Sequence, residues 1–206
     1  AELHGNTLRA VYRPAKVARY GDEPALVKMA GASNTGALAA IAFLLENAPA
    51  FLERIADTPV PAGGYEGNPA LSAPDVVAEA AAKLGLDPGA AALYLQLLAL
   101  AEPTQKNVIV WNGWKPAEYK KHAEALAAKR LVVTGKRERA GREIFLPGGW
   151  EKRGGSDLPL ESWKLPLYTI PYGSLGRLVP PRPLHRMFAD AWARVAKGDA
   201  PKYEEV

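Results

Sequence analysis

The chain has 206 residues, 48% hydrophobic and 23% charged, with no cysteine and a formal net charge of +4. That is too apolar for a disordered chain and long enough to bury a sizeable core. The lack of cysteine excludes disulfides, thiolate metal sites and a cysteine nucleophile, and no apolar run approaches the roughly 20 residues that span a bilayer. The N-terminal AELHGNTLRA carries no signal-peptide apolar stretch. The expectation is therefore a bacterial-type cytoplasmic protein with no membrane partner.

In chain order, TLRAVYRPAKVARY (7–20) alternates weakly and predicts a strand or extended arm interrupted at Pro14. Residues 34–57 predict helix, apolar nearly all round through Leu38, Ile41, Phe43, Leu44 and Leu45 and so largely buried. Pro49 predicts two helices meeting near Asn47 to Pro49. The stretch PVPAGGYEGNPA (59–70) is proline- and glycine-rich and reads as a linker.

Ser72 as N-cap with Pro74 in the first turn predicts a helix ending at Gly85. Asp87-Pro88 starts another, with Leu93, Tyr94, Leu97, Leu98 and Leu100 at core spacing. Thr104 to Trp111 is ambiguous: its β-branched residues suggest a strand, and Thr104 as N-cap suggests a short helix. Asn112-Gly113 predicts a turn. Pro116 then opens the helix PAEYKKHAEALAAKR, with Tyr119, Ala123 and Leu126 facing inward. The runs LVVTG and REIFLPG predict a β-hairpin. Residues 149–183 are rich in proline, glycine and aromatics, and Trp150, Trp163, Tyr168 and Tyr172 are expected to pin an extended segment to the body. A last helix opens at Pro183-Leu184, buries Met187, Phe188, Ala191, Trp192 and Val195, and ends at Gly198.

The fold class expected is mainly α with a small β-hairpin: a winged helix-turn-helix core plus N-terminal helices and a C-terminal extended arm and helix. The divisions are an N-terminal helical region over 1–58, a linker over 59–71, a winged-helix domain over 72–149, and the arm and helix over 150–206. A helix after a glycine-containing turn, followed at once by a hairpin, is the winged-helix order.

The charge is regional. From Trp114 to Arg142 the chain holds nine Lys or Arg against three Glu, so those 29 residues carry +6 and the remainder −2. Lys115, Lys120 and Lys121 fall on the proposed recognition helix, and Lys136, Arg137, Arg139 and Arg142 at the hairpin tip. Cations on both elements point to double-stranded DNA, with Lys115, Lys120, Lys121, Arg137, Arg139 and Arg142 contacting phosphates. The alternative partner for the same face is an acidic protein. The recognition helix has no Asn, Gln or Ser, which favours backbone contact over base readout.

The stretch from about Leu71 to Trp150 resembles the winged helix-turn-helix superfamily in its order of elements. The phrases ALYLQLLAL, WNGWKPAEYKK, AGREIFLPGGW, LPLESWKLPLY and PLHRMFADAWARVAKGDAPKYEEV resemble the C-terminal part of large MolR-like bacterial proteins encoded near MoxR-type ATPases. That resemblance covers about residues 25–206. It implies a part of a larger assembly and carries over no catalytic residue.

No cofactor and no catalytic residue is expected. His122 with Glu124, at i and i+2, does not make a zinc motif, and His122 reads as a surface residue able to touch phosphate. Gly31 to Gly36 has phosphate-loop glycine spacing, but Ala37 and Leu38 stand where that loop needs Lys and Ser/Thr. It reads as a capped helix start. Asp157 and Glu161, near Arg153 and Lys164, read as surface ion pairs, and Ser156, Ser162 and Ser174 have no histidine close in sequence. Trp111 and Trp114 are expected to pack under the Asn-Gly turn.

Overall fold

A computed structural model describes residues 2–4, 7–9, 35–151, 159–169 and 180–203, with side chains from residue 46 onward. The chain divides into two compact units, Ala1–Pro49 with Ile170–Leu175, and Ala50–Thr169 with Gly176–Val206. Within the described residues the protein is mainly helical, with three antiparallel two-stranded pairs. None of the described helices is long and apolar enough to cross a membrane.

In the first unit β1 (Glu2–His4) pairs with β2 (Thr7–Arg9), Leu3 opposite Leu8. The expected strand over 7–20 is thus seen at Thr7–Arg9; the rest of it, and Gly31 to Asn34, lie outside the described residues. Helix α1 (Thr35–Ala56) follows, its last turns belonging to the second unit. It is one helix, not the two expected at Pro49. Proline removes a single intrahelical donor, and the bonds on either side keep the helix continuous. The side chains of Leu38, Ile41, Phe43, Leu44 and Leu45, on which the expected burial rests, lie outside the described residues; at the helix end Leu52 and Ile55 are 67% and 74% exposed.

The second unit is built round one helix. After short α2 (Pro69–Ser72) come α3 (Pro74–Leu84) and α4 (Pro88–Ala99). Every residue of α4 from Ala90 to Ala99 is buried. Its alanines let neighbours approach and its leucines fill the space between them, so α2, α3, the later helix α6 (Pro116–Ala128) and the C-terminal helix α8 (Leu184–Ala196) all pack on it. The stripe Met187, Phe188, Ala191 and Trp192 is the buried face of α8, with Val195 half-buried. Lys83 of α3 donates to the Ala196 carbonyl at 3.2 Å. Leu160, Leu167 and Tyr168 of the arm and the stripe of the last helix are buried in the same core as the central helices.

Several boundaries follow the expected chemistry. Asp87 Oδ1 accepts from Gly89 N and Ala90 N at 3.0 and 3.1 Å, and Gly85 and Gly113 close their helices at φ 61° and 65°. Residues 104–111 resolve as helix α5 (Gln105–Asn112), because Thr104 Oγ1 accepts from Asn107 N at 3.1 Å. Ser72 is not the N-cap of α3. It closes α2, its hydroxyl donating to the Asn68 carbonyl at 3.0 Å, while Ala73 occupies the cap. Asn68 caps α2 instead, accepting from Ala70 N at 2.9 Å.

The stretch 59–71 is fastened, not free. Arg54 donates to both carboxylate oxygens of Glu66 at 2.9 and 3.1 Å and to the Ser72 carbonyl at 2.9 Å. Buried Gln96 donates to the Gly67 carbonyl at 2.6 Å and accepts from Asn112 Nδ2 at 3.0 Å. This joins the loop, α4 and the end of α5. Trp111 lies over Gly67, where an added Cβ would sit 2.9 Å from the indole.

Gly89, on the first turn of α4, gives a test of packing. Alanine normally stabilises a helix by about 1 kcal/mol over glycine. Here an added Cβ would stand 2.4 Å from the buried ring of His122, which packs against Trp114 with its Nδ1 3.2 Å from Asp87. Gly89→Ala is expected to reverse the usual sign and cost about 1–3 kcal/mol in urea unfolding.

Candidate nucleic-acid interface

Helix α5 is joined to α6 by a three-residue turn, Gly113 to Lys115. The Gly113 and Trp114 amides donate to the Val110 and Ile109 carbonyls at 3.2 and 3.0 Å, ending α5. Lys115 N donates to Glu118 Oε2 at 2.7 Å, closing the first turn of α6. The Trp114 and His122 ring centroids are 4.6 Å apart. Tyr119, His122, Ala123 and Leu126 are buried under the helix. His122 is thus an inward residue, its Nδ1 3.2 Å from Asp87, and not the expected surface contact. Burial raises the Tyr119 hydroxyl to about 12, and the Arg142 charge offsets part of that rise.

On the other side of α6, Lys115, Lys120 and Lys121 are exposed, as a phosphate-contacting role requires. They share that surface with Glu118 and Glu124, and Lys120 Nζ lies 3.8 Å from Glu124. This pair is highly exposed and holds Lys120 only weakly.

The hairpin follows at once. β3 (Val133–Thr134) pairs with β4 (Ile144–Phe145), and Gly135 N donates to the Glu143 carbonyl at 2.9 Å. Gly141, at φ 62°, ties the tip to the start of α5: its carbonyl accepts from Gln105 N at 3.0 Å. An added Cβ there would lie 2.8 Å from Thr104.

The four cations expected at the tip separate into two kinds. Lys136 and Arg139 are exposed. Arg137 folds back, its guanidinium 4.7 Å from the Phe145 ring centroid and 5.2 Å from that of Trp150, and it donates to the Gly148 carbonyl at 3.3 Å. Arg142 is no tip cation at all. It is 6% exposed and donates to Glu161 Oε1 at 2.7 Å and to the Ile144 carbonyl at 3.2 Å. Desolvated and paired, it is removed from the expected phosphate contacts.

Its partner was expected on the surface and is fully buried. Glu161 lies on β6 (Leu160–Glu161), which pairs with β5 (Trp150–Glu151). Lys164, in the 3-10 turn Ser162–Lys164, places Nζ 2.9 Å from Glu161 Oε2 and donates to the Leu100 carbonyl at 2.8 Å. Burial would raise the Glu161 carboxyl, but Lys164 and Arg142 outweigh it and hold the group at about 2. Burial, aided by Arg142, lowers Lys164 to about 8 against the opposing pull of Glu161. Asp157, Arg153, Ser156, Ser174 and Tyr172 lie outside the described residues. The arm is pinned as expected where it is described. Tyr168, at the end of α7 (Leu165–Tyr168), donates its hydroxyl to the Ala99 carbonyl at 2.6 Å, and Trp163 Nε1 donates to the Asp199 carbonyl at 3.1 Å.

Between α6 and the hairpin runs an open groove of about 700 Å³. Ala117, Ala123, Ala127 and Ile144 make its apolar lining, with Lys120 and Lys136 on its two sides and Glu124 and Glu143 beside them. Compared with protein-family models, curated proteins and solved structures, the chain matches none.

Proposed function

We propose that the protein binds double-stranded DNA as a winged helix, through backbone contacts from α6 and the hairpin tip. The observation that carries this reading is the placement of exposed cations on two consecutive elements flanking one groove. Lys115 comes from the cap of α6, Lys120 and Lys121 from the helix itself, and Lys136 and Arg139 from the tip. From Lys115 to Glu143 seven exposed Lys or Arg stand against four exposed Glu, a surplus of three. Such a surplus favours an anionic polymer. The outward face of α6 offers alanine, lysine and glutamate and no Asn or Gln. This supports phosphate contact with little base discrimination. Arg137 contributes from behind the tip, and Arg142 acts on the hairpin from within.

Fluorescence anisotropy with a random duplex of roughly 25 base pairs tests this between 50 and 200 mM salt. Five phosphate contacts give a log–log salt slope of about −4.5, and Lys120→Ala/Lys136→Ala/Arg139→Ala flattens it by about 2.7. No binding at 50 mM salt overturns the reading, and a slope untouched by the triple change moves the contact elsewhere.

The apolar lining of the groove favours a second reading, an interaction module that receives an acidic protein segment within a larger assembly. This is the role that the MolR-like resemblance implies. Ala127→Trp separates the two. It fills the groove without removing a charge, so it blocks a protein segment and leaves the salt slope for DNA within about one contact of native.

A further inference from the structure

The hairpin between α6 and the arm is too short to hold its own shape. It has two residue pairs, Val133 with Phe145 and Thr134 with Ile144, and isolated pairs of this size are marginal in water. Beneath it lie three charged side chains, each no more than 1% exposed. Arg142 grips the returning strand through the Ile144 carbonyl and reaches Glu161 with its other end. Glu161 meets Lys164, and Lys164 meets the Leu100 carbonyl at the end of α4. The hairpin is thereby linked through one carboxylate to the most buried helix of the unit.

We propose that Glu161 is the positioning residue of the hairpin: it ties the hairpin to the end of α4, the helix on which α6 also packs, and the tip cations meet their partner in register with Lys120 only while it does. A buried ionic cluster is not needed for stability, since apolar side chains of similar volume serve as well. Its directional bonds set an orientation, which apolar contacts do less strictly. What the tip touches rests on the DNA reading; what holds the tip does not.

The test is amide hydrogen exchange on the full chain, comparing native protein with Glu161→Gln and Arg142→Lys. Arg142→Lys keeps a cation beside Glu161 but loses the fork that spans Glu161 and the Ile144 carbonyl. It therefore decides the matter if Glu161→Gln does not fold. Amides of residues 133–145 are expected to exchange about 10-fold faster in the variants, while those of 90–99 keep their native rates. Equal acceleration in both regions means a merely structural role and overturns the proposal, as does no change in either.

Salt-dependent binding then connects this to function. In the native background Lys136→Ala/Arg139→Ala flattens the slope by about two; in the Arg142→Lys background the same change flattens it by less than one, because those contacts are already lost. An equal effect in both backgrounds overturns the positioning role. If the native chain does not bind duplex, the DNA reading fails, and the exchange comparison still decides what Glu161 does.

Discussion

Phe188→Ala is expected to lower the unfolding free energy by about 3–5 kcal/mol, read as a fall in the urea midpoint with little change in slope. The side chain is fully buried on α8, in the stripe that packs on α4. Truncation removes the aromatic ring and leaves a cavity where α8 meets the most buried helix in the unit. Total stabilities of domains this size are about 5–15 kcal/mol, so the loss is a large fraction of the whole. Ala193→Ser, on the exposed side of α8, is the control and should stay within about 0.5 kcal/mol of native. A loss under about 1 kcal/mol for Phe188→Ala would mean that α8 is a satellite and that α4 is covered without it.

The sequence shows where the last helix lies and which face it buries, but not what it packs against. Its stripe and terminal Gly198 are local signals, whereas its packing on α4 joins residues about ninety positions apart. The same contrast runs through the candidate site. The cap at Asp87, the turn at Gly113 and the inward Tyr119 and Leu126 are set by near neighbours, and each could be read. From the sequence His122 reads as a surface residue able to touch phosphate. Yet it lies three residues after Tyr119 and four before Leu126, on the buried face of α6. Arg142 carried no such signal: Ile144, Phe145 and Leu146 are all buried, so the strand does not alternate and its parity does not turn Arg142 inward. What no local pattern supplies is its partner. Glu161 is 19 residues away, beyond a stretch whose prolines and glycines suggest an exposed loop. The continuity of α1 through Pro49 was hidden for a different reason: proline lowers the odds of a helix without forbidding one.

The acid branch of the stability curve is where Glu161 should show itself most directly. Lys164 and Arg142 hold its carboxyl at about 2 in the folded chain, against an ordinary 4.5. Between these values the unfolded chain binds the proton and the folded chain does not, so stability is fully present above about pH 4.5 and is lost as pH falls toward 2. Other carboxylates titrate in the same window, so the measurement is a difference: urea unfolding of native protein and of Arg142→Met/Glu161→Leu/Lys164→Met, from pH 7 to 2.5. The apolar triple should match native stability to within a few kcal/mol at pH 7, since replacing a buried cluster whole avoids the orphaned charges left by removing one member. Its acid slope should be shallower, so that the triple gains stability relative to native protein as pH falls below about 4.5. At the alkaline end burial lowers Lys164 to about 8 from 10.5. The folded chain sheds that proton first, and the contribution of Lys164 to stability rises with pH across this interval in native protein alone. Parallel curves from pH 7 to 2.5 would mean that the folded carboxyl is not held down by its two cations, and the link between hairpin and α4 would then rest on Lys164 and the backbone without it.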